Sequence, residues 1–262
     1  MLVSLIITTF NWPEALKLSI QGALSQTYPP DEIIIADDGS SDGTADLIAL
    51  MASTTDINII HSWQRNKGFR AAKSRNRAIA LARGDYIILI DGDIVVEKHF
   101  IEDHLFVARH GRFVQGTRVL LDKRKTQKVL RLKRLKLAIT DSGLKNRKNY
   151  IRSRLLSSIF SHNKSSLSGL KTCNFAFWRQ DAIEVNGFNE DFEGWGREDS
   201  EFAVRLMNKG SKRYNLRFMA VAFHMYHNDC TRNQLFENEN LLREAVEKKL
   251  TRCVNGISTY LP

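Results

Sequence analysis

The chain has 262 residues, 43% of them hydrophobic and 26% charged, with three cysteines and a formal net charge of +10. That length buries a core without disulfide support, the composition excludes disordered and fibrous chains, and the widely spaced Cys173, Cys230 and Cys253 exclude a disulfide framework or a zinc knuckle. No apolar run approaches the roughly 18 residues of a spanning helix, and residues 1–10 lack a secretion signal's basic start and long apolar centre, so a cytoplasmic location is expected.

Leu2 to Thr8 is a short apolar, β-branched run, Asn11-Trp12-Pro13 is a polar turn, and Leu16, Ile20, Ala23 and Leu24 recur at helical spacing. The chain therefore opens strand, turn, helix. Glu32 to Ala36 repeats the strand signal, Asp37 to Gly43 is a dense turn, Thr44 to Met51 predicts a second helix and Ile57 to Ile60 a third strand. After Asn66-Lys67-Gly68 an Ala-rich helix runs to about Arg83, and Tyr86 to Ile90 is a continuous apolar strand. Continuous apolar runs alternating with helices predict a mostly parallel sheet covered on both faces.

A helix over 98–109 and a strand near 113–118 follow. Between Leu120 and Arg154 stand 13 Lys or Arg against only Asp122 and Asp141, so the excess positive charge of the whole chain is one local patch. Downstream the pattern predicts a strand over Lys171–Trp178, with Cys173 as a small buried residue, and a helix over Glu198–Asn208 stopped at Gly210. A strand over Arg217–His224 and a closing amphipathic helix over Gln234–Leu250 complete the chain. With no repeat and no linker, a single domain over 1–262 is expected, divided as 1–118, a basic insertion over 119–165, and 166–262.

In parallel sheets ligands collect beyond the carboxyl ends of strands, and Thr8, Asp37-Asp38 and Asp91 all sit at such ends. Asp91 and Asp93, two apart, face the same way at about 6–7 Å, and Gly92 between them would let a phosphate approach the backbone. Hard carboxylate oxygens suit Mg²⁺ or Mn²⁺ bound partly through substrate phosphates. The same residues also read as turns, since Asp, Gly and Ser are what turns use.

Ser4 to Asn11 (SLIITTFN), Asp37-Asp38-Gly39-Ser40, Asn66-Lys67-Gly68-Phe69 with Arg75-Asn76, and Tyr86 to Asp93 stand in an order and spacing that resembles family 2 glycosyltransferases. The stretch from Gly68-Phe69 to Arg75-Asn76 is similar to the catalytic domains of bacterial chondroitin-type polymerases. Gly187-Phe188-Asn189 and Gly194 to Asp199 (GWGRED) resemble both those polymerases and the β-1,4-galactosyltransferases. The resemblance implies the GT-A fold, a Rossmann-like three-layer α/β/α sandwich. It also implies a UDP-sugar donor, and inverting transfer to a hydroxyl of a surface glycan or lipid-linked saccharide such as lipopolysaccharide or capsule.

By position, the resemblance places Thr8 and Asp38 at the uracil with Asn11 and Asp37 nearby, Arg75 near the diphosphate, and Asp91 with Gly92 at the ribose or metal. It makes residues 1–118 a nucleotide-binding half and 166–262 an acceptor-binding, catalytic half. Asp93 would ligate Mn²⁺ or Mg²⁺, with His227 and His224 as further ligands. Residues three apart point to opposite faces of a strand, so both histidines reach one ion only if the chain turns between them.

Transfer to a hydroxyl needs a carboxylate to take its proton. Glu198 and Asp199 open a helix, whose positive end favours an ionised acid; on their own they are equally helix-stabilising acids beside a core tryptophan. The resemblance makes Asp199 the base, Glu198 an acceptor-binding group and Trp195 an apolar platform, with Gly194 and Gly196 permitting a mobile loop whose closure excludes water.

Val129, Leu130, Leu132, Leu135, Leu137 and Ile139 lie among the cations of residues 120–154, which predicts either an amphipathic element on an anionic membrane at the inner face of the cell or a solvated helical insertion. Two other readings fit less well. A sugar nucleotidyltransferase calls for a Gly-rich, basic loop after the first strand, which Thr8 to Asn11 is not. Nucleic-acid binding calls for interleaved aromatics, and the basic span has only Tyr150, so no nucleic acid is expected.

Overall fold

The computed structural model describes residues 1–228 and 231–261. Its first third alternates strands with helices: β1 (Val3–Thr9), α1 (Pro13–Leu24), β2 (Glu32–Asp37), α2 (Thr44–Ala52), β3 (Asn58–Trp63), α3 (Ala71–Leu81) and β4 (Tyr86–Asp91). The middle comprises β5 (Ile94–Val96), α4 (Phe100–Val107), β6 (Arg112–Gln115), β7 (Val119–Leu121), α5 (Lys123–Leu132), β8 (Leu144–Lys145), α6 (Arg154–Phe160) and β9 (His162–Asn163). The last third holds β10 (Asn174–Trp178), α7 (Arg179–Glu184), α8 (Glu198–Asn208), β11 (Lys212–Asn215), β12 (Ala222–His224) and α9 (Leu235–Glu247).

Eight strands form the main sheet in the order β3-β2-β1-β4-β10-β6-β11-β9. The first four run parallel, as do β6 and β11, while β10 lies antiparallel between β4 and β6, and β9 is an antiparallel edge. A four-stranded sheet, β5-β12-β7-β8, completes the structure.

β1 explains why the strands are apolar on both faces. Val3, Leu5 and Ile7 join Leu16, Ile20, Ile48 and Phe100 of α1, α2 and α4, whereas Ile6 joins Ala78, Ile79, Ala182 and Phe202 of α3, α7 and α8. Side chains alternate faces along a strand, so helices on both sides favour apolar residues on both, and the buried Ser4 is satisfied by donating to Glu32 at 2.6 Å. The rings of Phe175, Phe177 and Phe188 meet Phe202 at centroid distances of 6.3, 5.3 and 4.3 Å, which seats α8 against the sheet.

Several boundaries differ from the sequence pattern. The expected strand over Arg217–His224 is only Ala222–His224, because Phe218 and Ala220 hold φ of 57° and 49°, a left-handed backbone that cannot continue a ladder. The strand expected near 113–118 ends at Gln115, and that over Lys171–Trp178 begins at Asn174. The apolar stripe of the basic segment faces protein: Val129 is buried, and Leu130, Leu135, Leu137 and Tyr150 pack with Val119, Leu121 and Phe223. Among the described residues no helix is long and apolar enough to cross a membrane. Cys173 and Cys253 are buried free thiols, and Cys230 lies outside the described residues.

Candidate active site

β1, β2 and β4 end side by side, with Thr8 in register with both Ala36 and Asp91. Thr8, Asp38 and Asp91 therefore share one rim of a cleft. Asp38 accepts Gln64 Nε2–H at 2.6 Å and the Arg70 backbone N–H at 2.7 Å, yet burial raises its carboxyl above the ordinary range. Thr8 Oγ1 is buried with no hydrogen-bond partner among the described residues.

Asp37 and Asn11 go elsewhere. Asp37 accepts the N–H groups of Gly39 and Ser40 at 3.1 and 2.8 Å and meets His61 Nε2 at 2.8 Å. The Asn11 N–H donates to Ser40 Oγ, and its side-chain oxygen accepts the Ser41 N–H, both at 2.9 Å. Neither residue lines the cleft, since the turn after β2 needs them to satisfy its own backbone groups. Gly92 also has a local reason: its N–H bonds Thr8 O at 2.7 Å, and a Cβ would stand 3.0 Å from that oxygen and 3.1 Å from Thr9 Oγ1.

Asp93, His224 and His227 meet with ligand atoms all within 4.8 Å of one another. The Nε2 atoms of His224 and His227 lie 3.3 and 3.4 Å from Asp93 Oδ2. The turn that both histidines require is present, because β12 stops at His224, where it pairs with Ile94, and Met225 N–H closes on Asp93 O at 3.0 Å. Asp93 Oδ1 is buried with no partner among the described residues. Burial, then the charge of Asp91, pushes the Asp93 carboxyl up to about 7, and burial with Arg118 and His227 pushes His224 down to about 3. A neutral imidazole with a free lone pair, a second histidine and an orphaned carboxylate oxygen fit a divalent cation. The mixed nitrogen and oxygen set suits Mn²⁺ better than Mg²⁺, which favours oxygen alone.

α3 joins this rim to α8. Arg75 is buried, with Nη1 2.9 Å from Glu198 Oε1, Nη2 3.7 Å from Asp91 Oδ1, and its guanidinium 5.3 Å from the Phe188 ring centroid. Its fork is thus engaged by carboxylates. Beside it Asn76 donates to Phe188 O at 2.7 Å and Glu190 Oε1 at 2.9 Å, and accepts the Phe188 N–H at 2.7 Å. Asp199 in the first turn of α8 accepts the Ser200 N–H at 2.7 Å; burial and the charge of Glu198 push it up to about 7.

Trp195 is half-buried, with the Arg232 guanidinium 5.0 Å from its ring. Gly194 and Gly196 hold φ of 70° and 110°, a conformation only glycine adopts cheaply. Their loop is tied down at several points. Gly194 N–H bonds Phe69 O at 2.9 Å, Asn238 Nδ2 donates to Glu193 O and Gly196 O at 3.0 and 2.9 Å, and Arg197 meets Glu239 at 2.6 Å. The glycines serve a clamped turn rather than the freely moving loop that the sequence suggested.

All the site residues expected from the sequence except Asp37 and Asn11 line one cleft of about 960 Å³. It also contains Phe10, Phe69, Arg118 and Lys171, which sequence reasoning passed over, and Lys123 and Lys145 from the basic segment. Arg118 donates to Cys173 Sγ at 2.8 Å and keeps a buried Nε without a partner. The signal for Arg118 and Lys171 was their place beside strand ends, the rule that picked out Asp91.

The family description "Glycosyl transferase family 2" matches residues 4–184. The chain belongs to that family. A second description, "N-terminal domain of galactosyltransferase", matches residues 154–228, the part that carries GWGRED and both histidines. The family 2 chain is 26% identical over 232 residues to a hyaluronan synthase of Pasteurella multocida, covering 80% of itself and 23% of that relative. It is 24% identical over 225 residues to a chondroitin synthase of the same species, covering 79% of itself and again 23% of the relative. It thus spans under a quarter of either. Among solved structures, S. aureus TarS 1–349 in complex with UDP-GlcNAc superposes with a TM-score of 0.65 at 15% identity, over 92% of this chain and 65% of that one. That likeness establishes the GT-A type fold.

Removing one partner of a buried ion pair leaves the other charge stranded. Arg75→Met is expected to cost about 3 kcal/mol in a urea titration, the lower end of that effect, because Asp91 keeps 36% of its exposure. Glu198→Gln, which keeps an acceptor for Arg75, should cost less. Equal stability of Arg75→Met and wild type would rule out the bridging role.

Asp93 and Asp199 hold their protons to about pH 7 when folded, against about 3.9 in an unfolded chain. The folded state then binds more protons, so metal-free stability falls as pH rises through 7. His224 opposes this only below its unfolded value of about 6.5. Two carboxyls outweigh one histidine, so thermal scans should show Tm dropping from about pH 4 upward, most steeply between about 6.5 and 7, and levelling off by about pH 8. Mn²⁺ at about 100 times its Kd should add about 2.7 kcal/mol, with a larger Tm rise at the alkaline end and none in Asp93→Ala. A Tm indifferent to Mn²⁺ at the alkaline end would dismiss the metal centre.

Proposed function

We propose that the protein moves a hexose or N-acetylhexosamine from a UDP-sugar to a hydroxyl of a surface glycan or lipid-linked saccharide, in the cytoplasm and with inversion at the anomeric carbon. The observation that carries this reading is the meeting of Asp93, His224 and His227 with Glu198 and Asp199 in one cleft, bridged by Arg75. A UDP donor is supported by the TarS complex with UDP-GlcNAc, and a glycan acceptor by the hyaluronan and chondroitin synthases among the relatives.

In this reading Thr8 and Asp38 hold the nucleobase, and Asp91 faces the ribose or the cation. Asp93, His224 and His227 hold Mn²⁺, which when bound supplies positive charge to the departing diphosphate. Arg118 and Lys171 add fixed charge in the same cleft. Glu198, itself oriented by Arg75, holds the acceptor through hydrogen bonds, and Trp195 gives the pyranose ring an apolar seat. Asp199 takes the proton of the acceptor hydroxyl as its oxygen bonds to the anomeric carbon and the bond to the diphosphate breaks on the opposite face. A carboxyl near 7 is well matched to that step, being basic enough to draw the proton and ionised in a useful fraction at neutral pH. Residues 1–118 then form the donor half and 166–262 the acceptor half, while 119–165 contributes Lys123 and Lys145 to the wall between.

Asp199→Asn should lower transfer by on the order of 10²- to 10⁴-fold while leaving UDP binding intact. The wild-type rate should climb with pH to a plateau above about 7, the limb set by ionising Asp199. Asp93→Ala should abolish Mn²⁺-dependent hydrolysis of UDP-sugars, read as UDP release across a donor panel. Full transfer by Asp199→Asn would remove it as the base, and a product that keeps the donor's anomeric configuration would overturn the inverting mechanism.

A further inference from the structure

α6 carries an apolar face that nothing among the described residues covers. Leu155 and Ile159, one turn apart on the helix, are 72% and 65% exposed, Phe160 is 50% exposed, and Phe106 at the end of α4 is 59% exposed. They form one surface. The Arg154 guanidinium lies 5.0 Å from the Phe106 ring, the Phe160 ring lies 5.4 Å from that of Phe218, and Arg217 lies 5.8 Å from the Phe218 ring. Ser153 N–H to Phe218 O at 2.8 Å fixes the start of the helix to the same loop.

Around this surface positive charge predominates. Between Asp141 and Asp181 the chain has no Asp or Glu, while Arg147, Lys148, Arg152, Arg154 and Lys164 fall within that stretch. The acids beneath α6 are already engaged, Glu102 by Arg154 at 2.7 Å and Asp103 by Arg152 at 2.7 Å. A second copy docking on the same patch would set like charges against each other. Protruding leucine, isoleucine and phenylalanine ringed by cations match an anionic lipid surface, where side chains enter the acyl boundary and arginines meet headgroup charge.

We infer that the protein rests on anionic membranes through α6 and the tip of α4, with Leu155, Ile159, Phe160 and Phe106 entering the bilayer and Arg154 and Arg217 at the headgroups. This places the contact apart from the stripe over 120–139, most of whose apolar residues pack against protein. It does not depend on the reaction proposed above.

The test is flotation of the full chain with phosphatidylcholine vesicles that contain phosphatidylglycerol, against pure phosphatidylcholine, at low and high salt. Wild type should float with the anionic vesicles at low salt, less at high salt and hardly with the neutral ones. The variant L155S/I159S/F160S, which alters only exposed side chains and should keep the wild-type Tm, should partition on the order of a hundredfold less. L132S/I139S, at two exposed apolar positions of the stripe over 120–139, should bind as wild type. No flotation of wild type, undiminished flotation of the α6 variant, or a wild-type dimer that this variant turns into monomer without any vesicle binding would each overturn the inference.

Discussion

One buried guanidinium holds the two halves of the site together. Arg75 sits between Glu198 at the head of α8 and Asp91 at the end of β4, and the field of Asp199 also reaches it. Residues more than a hundred positions apart are set in one geometry by a planar fork that can meet two carboxylates at once, which a lysine could not reproduce. Asn76, next in sequence, closes three hydrogen bonds on Phe188 and Glu190, so a single turn of α3 fixes both the charge and the backbone leading into α8. Phe188 serves both, lying under Arg75 and stacking on Phe202 of α8.

That arrangement crowds negative charge at one part of the cleft. Asp91, Asp93, Glu198 and Asp199 converge, and near them stand the buried Arg75 and the half-buried Arg118. Burial raises the carboxyls of Asp91, Asp93 and Asp199 together, the mark of a site that favours protonation over ionisation in the absence of a counter-charge. A divalent cation beside Asp93 would relieve that imbalance, and His224, held neutral, would lend it a ligand without adding charge. The same conditions that make Asp93 a poor free carboxylate make it a good ligand, and those that keep Asp199 near 7 make it a usable base.

What could be read from the sequence was local. The first turn and stop of α8 were visible as acids at Glu198 and Asp199 and a glycine at Gly210, and the strand ends announced Thr8, Asp38 and Asp91. What could not be read depended on partners distant in the chain. Whether His224 and His227 converge turns on where β12 ends, and that is set by its pairing with β5. The strand expected from Arg217 is cut short by a backbone turned left-handed at Phe218, whose carbonyl is held by Ser153. Asp37 and Asn11 carried the right residue types for ligand binding, but the turn between them had unpaired N–H groups nearer to hand. The amphipathic stripe of α5 was legible as a stripe, but periodicity does not say whether protein or lipid covers it.

The clamped loop around Trp195 bears on how such a site would act. A loop with two glycines invites a picture of closure, yet Asn238, buried under the loop, donates to carbonyls on both sides of Trp195, and Gly194 is bonded back to Phe69. Opening the loop would break three hydrogen bonds at about 0.5–1.5 kcal/mol each, a sizeable part of the stability of a single domain. On the proposed reading the acceptor's seat is pre-formed, and the entropy of ordering it is met in folding rather than in binding. α9, far along the chain from the donor rim, is thereby part of the site's construction: it holds the platform still while Arg75 holds the carboxylates beside it.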